Sequence, residues 1–137
     1  MQRIMGLDVG EKRIGIAVSD PLKITAQSIE TLNRENLKKD INYILKLAQE
    51  YNVEELVVGL PKNMNGTIGP QAEKVKEFVE HLLRIKGIKV KYIDERLSTV
   101  AAEKTLISGD VSRKKRKQVI DKLAATVILQ TYLDGLK

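Results

Sequence analysis

The sequence predicts an α/β fold: a five-stranded mixed sheet with helices on both faces, three of its strands antiparallel and hairpin-linked and two parallel. Two observations carry that reading. In the first third of the chain, apolar residues recur at every second position in segments separated by short polar turns. From about residue 34 onward, helical periodicity alternates with short, continuous apolar runs. A third observation bounds it. The 137 residues suit one domain over 1–137 and are too few for two substantial cores.

In chain order, residues 3–9 read as a strand. In residues 13–19, Ile14, Ile16 and Val18 alternate with Gly15 and Ala17, the period-2 mark of a second strand. Gly10-Glu11-Lys12 between them is short enough for a hairpin, which makes the pair antiparallel. A third strand follows Asp20-Pro21 at residues 25–32. Leu37, Ile41, Ile44, Leu45 and Ala48 then fall on one face of a helix over about residues 34–51. Leu56-Val57-Val58-Gly59 has the unbroken apolar character of a strand covered on both faces. Pro70 suits a first helical position, and the stripe Val75, Phe78, Val79, Leu82 and Leu83 follows, with Gly87 as its C-terminal cap. Residues 89–93 form a fifth strand. Ser98 caps a short third helix to about residue 108, and a long fourth helix covers residues 117–136. Residues 61–69 and 109–115 read as loops, and no internal repeat or low-complexity tract interrupts the pattern.

Composition narrows the function. There are 24 Lys and Arg against 18 Asp and Glu, and the resulting net charge of +6 favours an acidic partner, nucleic acid ahead of anionic membrane. A merely solvated basic surface is the alternative. The absence of cysteine excludes disulfides, a thiolate nucleophile and cysteine-ligated zinc. The single histidine, His81, excludes a histidine-rich metal cluster and lies off its helix's apolar stripe, as a bystander would. The first residues lack the apolar stretch of a signal peptide, and no run approaches the roughly 20 residues that span a bilayer. The expected location is the cytoplasm.

Acids mark the expected site. Sites in open α/β sheets form beyond the carboxyl ends of parallel strands. Asp8 ends the first strand, and Asp94-Glu95-Arg96 ends the fifth. On the last helix, Asp121 shares a face with Ala124, Ala125, Ile128 and Tyr132, and the two alanines would let that helix approach the sheet closely. Asp121 otherwise reads as a boundary acid paired with Lys117. Asp8, Glu95 and Asp121 together form a hard, oxygen-only ligand set suited to Mg²⁺ or Mn²⁺, the ions that assist phosphodiester displacement.

Basic residues adjoin the acids. Arg113-Lys114-Lys115-Arg116-Lys117 places five positive charges just before Asp121, as a grip on phosphates or as a solvated helix entry. Arg13 and Arg96 suit a phosphate clamp, or instead a structural pairing with Asp94 or Asp20. Lys62, with Asn63, offers a further nucleic-acid contact. Asn65 and Thr67 suit either a substrate contact or turn chemistry, and Thr99 either a second hydrogen bond to the acids or a helix start.

Four blocks resemble a known family. Gly6-Leu7-Asp8-Val9-Gly10, with Arg13, Gly15 and Ile16-Ala17-Val18-Ser19-Asp20, is similar to the opening motif of the YqgF family, whose members are also called pre-16S rRNA nucleases or RuvX-type Holliday junction resolvases. Val58-Gly59-Leu60-Pro61 with Asn65-Gly66 and Gly69-Pro70 resembles the second motif. Asp94-Glu95-Arg96-Leu97-Ser98-Thr99 resembles the third, and Ser112 to Lys117 followed by Asp121-Lys122-Leu123-Ala124-Ala125 and Ile128-Leu129-Gln130 the last. The resemblance implies a ribonuclease H-like fold and metal-dependent hydrolysis of phosphodiester bonds at the 5′ end of pre-16S rRNA. It also carries an older assignment to branched DNA, as a Holliday junction resolvase. It sets Asp8, Glu95 and Asp121 at the family's catalytic positions. Unlike the wider RuvC-like group, this chain has Gly59-Leu60-Pro61 where an acid would end the fourth strand, so its ligand set for a second metal is thinner.

Two rival functions remain at this point. An ATPase of the actin and sugar-kinase type opens with a similar acid-glycine hairpin but encloses its nucleotide between two such domains. A non-catalytic nucleic-acid-binding accessory factor would keep the fold without needing the acids.

Overall fold

The computed structural model describes residues 2–62, 65–95 and 113–136, with the backbone alone over 113–122. Its elements are β1 (Arg3–Val9), β2 (Arg13–Ser19), β3 (Ala26–Asn33), α1 (Leu37–Glu50), β4 (Val53–Leu60), α2 (Pro70–Ile85), β5 (Lys89–Asp94) and α3 (Arg113–Gly135). The strands lie in the order β3-β2-β1-β4-β5. β1 pairs antiparallel with β2 and parallel with β4. β2–β3 is antiparallel and β4–β5 parallel. This is the mixed sheet read from the sequence.

Each face of the sheet buries a separate apolar cluster. Met5, Leu7 and Val9 of β1, with Ile14, Ile16, Val18, Leu56, Val58 and Leu60, pack against the stripes of α1 and α2. Ile4, Ala17 and Val57 pack on the opposite face against Ala125, Ile128, Leu129 and Leu133 of α3. Each fully buried aliphatic side chain contributes about 1.5–3 kcal/mol. Gly6 sets how closely α3 approaches, since a Cβ there would stand 2.7 Å from Leu129 Cβ and 2.9 Å from the Ala125 carbonyl oxygen.

Several boundaries differ from the sequence reading, for local reasons. β3 runs on to Asn33, which pairs with Arg13, and α1 starts only at Leu37 because the Asn36 side chain accepts the Lys39 N–H at 2.9 Å. β4 begins at Val53, ahead of its apolar run, and the Glu55 it thereby includes accepts the Tyr132 hydroxyl at 2.5 Å. α2 ends through Lys86 in an extended conformation, its N–H bonded to the Leu82 carbonyl, so Gly87 is not a left-handed cap. α3 spans Arg113–Gly135 and so takes in the whole basic run. Apolar periodicity begins only at Val119, whereas Lys and Arg are good helix formers and extend the helix backward. Residues 113–115 are therefore helix, not loop. The short helix expected over 98–108 lies outside the described residues.

Candidate active site

The site is a rim, built by strand ends. Pairing of β1 with β4 stops at Leu7 and Val58, and the next step along each strand brings Asp8 level with Gly59. Gly6 faces α3, so alternation puts Asp8 on that face as well. On the far side of Gly59, β5 pairs Ile93 with Gly59 and ends at Asp94. Glu95 follows directly, with Oε2 3.2 Å from where a Gly59 Cβ would stand. Asp8 and Glu95 thus flank a strand position that has no side chain.

Gly59 shapes this notch. A Cβ there would also meet Ile128 Cδ1 of α3 at 2.4 Å. The ends of the Ile128 and Glu95 side chains thus lie where a side chain at position 59 would begin. Asp8 and Glu95, on the strands either side of Gly59, carry carboxylate oxygens, the donors that hard divalent cations prefer. Among the described residues no group of three or more acids or histidines gathers, and the Asp121 side chain lies outside that set. The α3 backbone places position 121 one helical turn before Ala125, which is packed over Gly6.

The basic candidates divide. Arg13 opens β2 at the same rim, two residues before Gly15, the cross-strand partner of Asp8, and alternation sets it on the α3 face. Its suggested pairing with Asp20 is ruled out, because Asp20 lies past the other end of β2. Asp20 accepts the N–H groups of Thr25 at 2.9 Å and Ile24 at 2.7 Å. The Thr25 hydrogen bond, with help from Ile24 and against some burial, holds its carboxyl below the usual value of 3.8. Lys62 is half-buried just past β4, its backbone bridged to Ile68. Asn65 serves the turn: its Oδ1 accepts the Thr67 N–H at 3.1 Å and the Thr67 hydroxyl at 2.7 Å. Residues Arg113, Lys114, Lys115, Arg116 and Lys117 form the start of α3, with no acid in its first turn. Asn63, Arg96 and Thr99 lie outside the described residues. His81 is exposed.

Sequence reasoning missed Arg34 and Asp40. Arg34 Nε donates to Asp40 Oδ2 at 3.1 Å, and Nη1 donates to the Gly10 carbonyl at 2.9 Å. The guanidinium lies 5.1 Å from the centre of the Phe78 ring. Nothing in the pattern flagged them, since Arg34 stands in a connection and Asp40 on a mostly polar stretch of α1.

A sheet of order β3-β2-β1-β4-β5, sandwiched between helices and carrying acids at the carboxyl rim, defines the ribonuclease H-like class. Among solved structures, the chain is similar to Thermus thermophilus RuvC in complex with a Holliday junction substrate, with a TM-score of 0.63 over 99% of this chain and 96% of that one. At 14% identity this likeness shows the fold alone. The family profile described as "RuvX: Holliday junction resolvase" matches residues 2–135. The chain belongs to that family. Its relatives include a protein of Desulforamulus reducens, 59% identical over 133 residues and 97% of each chain. Another, from Moorella thermoacetica, is 58% identical over 134 residues, 98% of this chain and 96% of its own. Both bear the name "Putative pre-16S rRNA nuclease".

Proposed function

We propose that the chain acts as a single nuclease domain over 1–137, hydrolysing phosphodiester bonds at the 5′ end of pre-16S rRNA in the cytoplasm. The observation that carries this is the placement of Asp8 and Glu95 on either side of the Gly59 notch, on the face covered by α3. Asp8, Glu95 and Asp121 would hold Mg²⁺ or Mn²⁺. When bound, such an ion lowers the pKa of water and offsets charge on the leaving oxygen. The chain's own residues would bring the scissile phosphate there. Arg13 supplies a cation beside the acids, and Lys62, Asn63, Arg96 and the run Arg113–Lys117 would hold the flanking backbone. The cations at the start of α3 stand where the helix dipole is also positive, an unfavourable combination that a phosphate relieves. Among the described residues no helix is long and apolar enough to cross a membrane.

A second reading, cleavage of four-way DNA junctions, is favoured by the family's description. One experiment separates them: incubation with pre-16S rRNA and with a four-way junction, in Mg²⁺ or Mn²⁺, beside Asp8→Asn, Glu95→Gln and Asp121→Asn. The expected result is cleavage of the RNA by the parent chain and none by any variant, with melting temperatures unchanged or raised, because neutralising one acid relieves like-charge repulsion. Full activity in EDTA or in Asp8→Asn refutes the metal mechanism, and cleavage of the junction alone transfers the assignment to DNA.

A further inference from the structure

The end of β1 that carries Asp8 runs past its pairing with β4, which stops at Leu7, and continues its pairing with β2, through Gly15 and Ile14. Those two strands are joined by the tight connection Gly10-Glu11-Lys12, closed by the Gly10 N–H to the Arg13 carbonyl at 2.8 Å. What fixes that turn therefore also bears on the backbone at Asp8, two residues before it.

Arg34 fixes it from below. It follows β3 directly, and its backbone N–H donates to the Lys12 carbonyl at 2.9 Å. Its side chain then reaches the other side of the turn, where Nη1 donates to the Gly10 carbonyl at 2.9 Å. One residue so holds both ends of the three-residue connection. The guanidinium is itself immobilised by two helices. Asp40 in the first turn of α1, its side chain 3% exposed, accepts from Nε, and Phe78 of α2 lies beneath the cation. The second Asp40 oxygen accepts the Glu35 N–H at 3.1 Å, which fixes the carboxylate in turn. The Glu11–Lys74 ion pair at the tip of the turn is exposed on both sides and adds little.

We infer that Arg34 is a positioning residue for Asp8: it ties the Gly10–Lys12 turn to α1 and α2 and so fixes the end of β1 on which the carboxylate stands. It lies on the α1/α2 side of the sheet, whereas alternation sets Asp8 on the α3 face, so it acts on the carboxylate through the turn. The planar fork of arginine is what this task requires. It reaches a carboxylate and a carbonyl in different directions from one rigid plane, which a lysine ammonium on a flexible stem does not. The inference rests on the nuclease reading for its catalytic consequence and on geometry alone for the anchoring.

The test uses Arg34→Lys, which keeps a positive charge for Asp40. The double variant Arg34→Gln/Asp40→Asn removes both charges together, in case the single change does not fold. Tyr43→Phe, which loses a hydrogen bond to Glu30 at 2.5 Å between α1 and β3, serves as the stability control. Amide hydrogen exchange of the metal-free protein is expected to rise about tenfold or more in residues 8–13 while residues 56–60 stay within about twofold. With pre-16S rRNA and Mn²⁺, kcat is expected to fall about 10- to 100-fold with KM nearly constant, since small misplacements of a reacting group cost that much. Tyr43→Phe should keep both values. Unchanged exchange in 8–13 overturns the anchor. A loosened turn with kcat equal to that of Tyr43→Phe overturns the positioning role. An inert parent chain overturns the nuclease reading and with it the catalytic role, while the exchange result still decides whether Arg34 holds the turn.

Discussion

Gly6→Ala tests the link between packing and chemistry most directly. The added methyl would meet Leu129 Cβ at 2.7 Å and the Ala125 carbonyl oxygen at 2.9 Å, against the 3.5–4.0 Å of an ordinary contact between carbon atoms. Both obstacles belong to the frame of α3 rather than to the tip of a side chain, so the helix has to lift by about 1 Å. Overpacking of this kind costs about 1–3 kcal/mol. In a domain of this size each kcal/mol moves the midpoint by about 4 °C, so a thermal melt should show a fall of about 4–12 °C. The shift also carries position 121, one turn away, off the rim. Cleavage measured well below the melting range should then drop about 10- to 100-fold. Gly135→Ala is the control: nothing stands within 4 Å of its Cβ, and the melt should stay within about 1 kcal/mol of the parent. A Gly6→Ala protein with parental melting and parental activity would refute the argument that this glycine sets the height of α3.

Tyr132→Phe should lower stability at neutral pH by about 1 kcal/mol, read by urea denaturation, because the hydroxyl donates to the Glu55 carboxylate. That bond, with burial adding to it, raises the Tyr132 pKa from 10.0 to about 12. Its contribution is therefore complete below pH 10 and lost as the pH rises toward 12, and the variant should show a shallower alkaline decline, with Tyr43 supplying what remains. Asp94 and Glu95 are adjacent across the end of β5. Asp94→Asn should lower the melting temperature more than turnover, and Glu95→Gln the reverse; the opposite pattern exchanges their roles. Changing three residues of Arg113–Lys117 to Gln should weaken nucleic-acid binding alike for all sequences and flatten the slope of log K against log salt by about 2–3 units on a duplex. An unchanged slope would make the run a plain helix start.

Much of the fold was legible because its signals are local. Alternation in β2, the unbroken run at Leu56–Gly59 and the stripes of α1 and α2 each report burial directly, and the mixed character of the sheet follows from a hairpin and two helical crossovers. Boundaries set by polar contacts were not legible. Glu55 belongs to β4 and is held by Tyr132, 77 residues away, and no short window contains that partner. In the site, Asp8 and Glu95 were readable as acids ending apolar strands. What the sequence could not convey is how near the side chains of Ile128 and Glu95 come to the glycine between them. Arg34 was hidden for a related reason: its partners come from the turn after β1, from α1 and from α2, and only the assembled sheet brings them to one point.

α3 carries the packing that holds it on the sheet and, at its start, the basic run. Every described anchor lies in its C-terminal half. Ala125, Ile128, Leu129 and Leu133 are buried in the sheet. Gln130 accepts the Ala26 N–H at 2.9 Å and donates to the Ile24 carbonyl at 3.0 Å, which fastens the helix to β3. Tyr132 fastens it to β4. The first five residues of α3 are all cationic, and charge of that sign near a helix N-terminus is disfavoured by about 0.3–1 kcal/mol each. A helix formed for stability alone would carry acids there. The C-terminal packing offsets that cost, and on the nuclease reading the cationic run and the acids of β1 and β5 would serve one substrate. A phosphate backbone lying between them would meet positive charge from the helix, and its scissile bond would meet the acids of the strands.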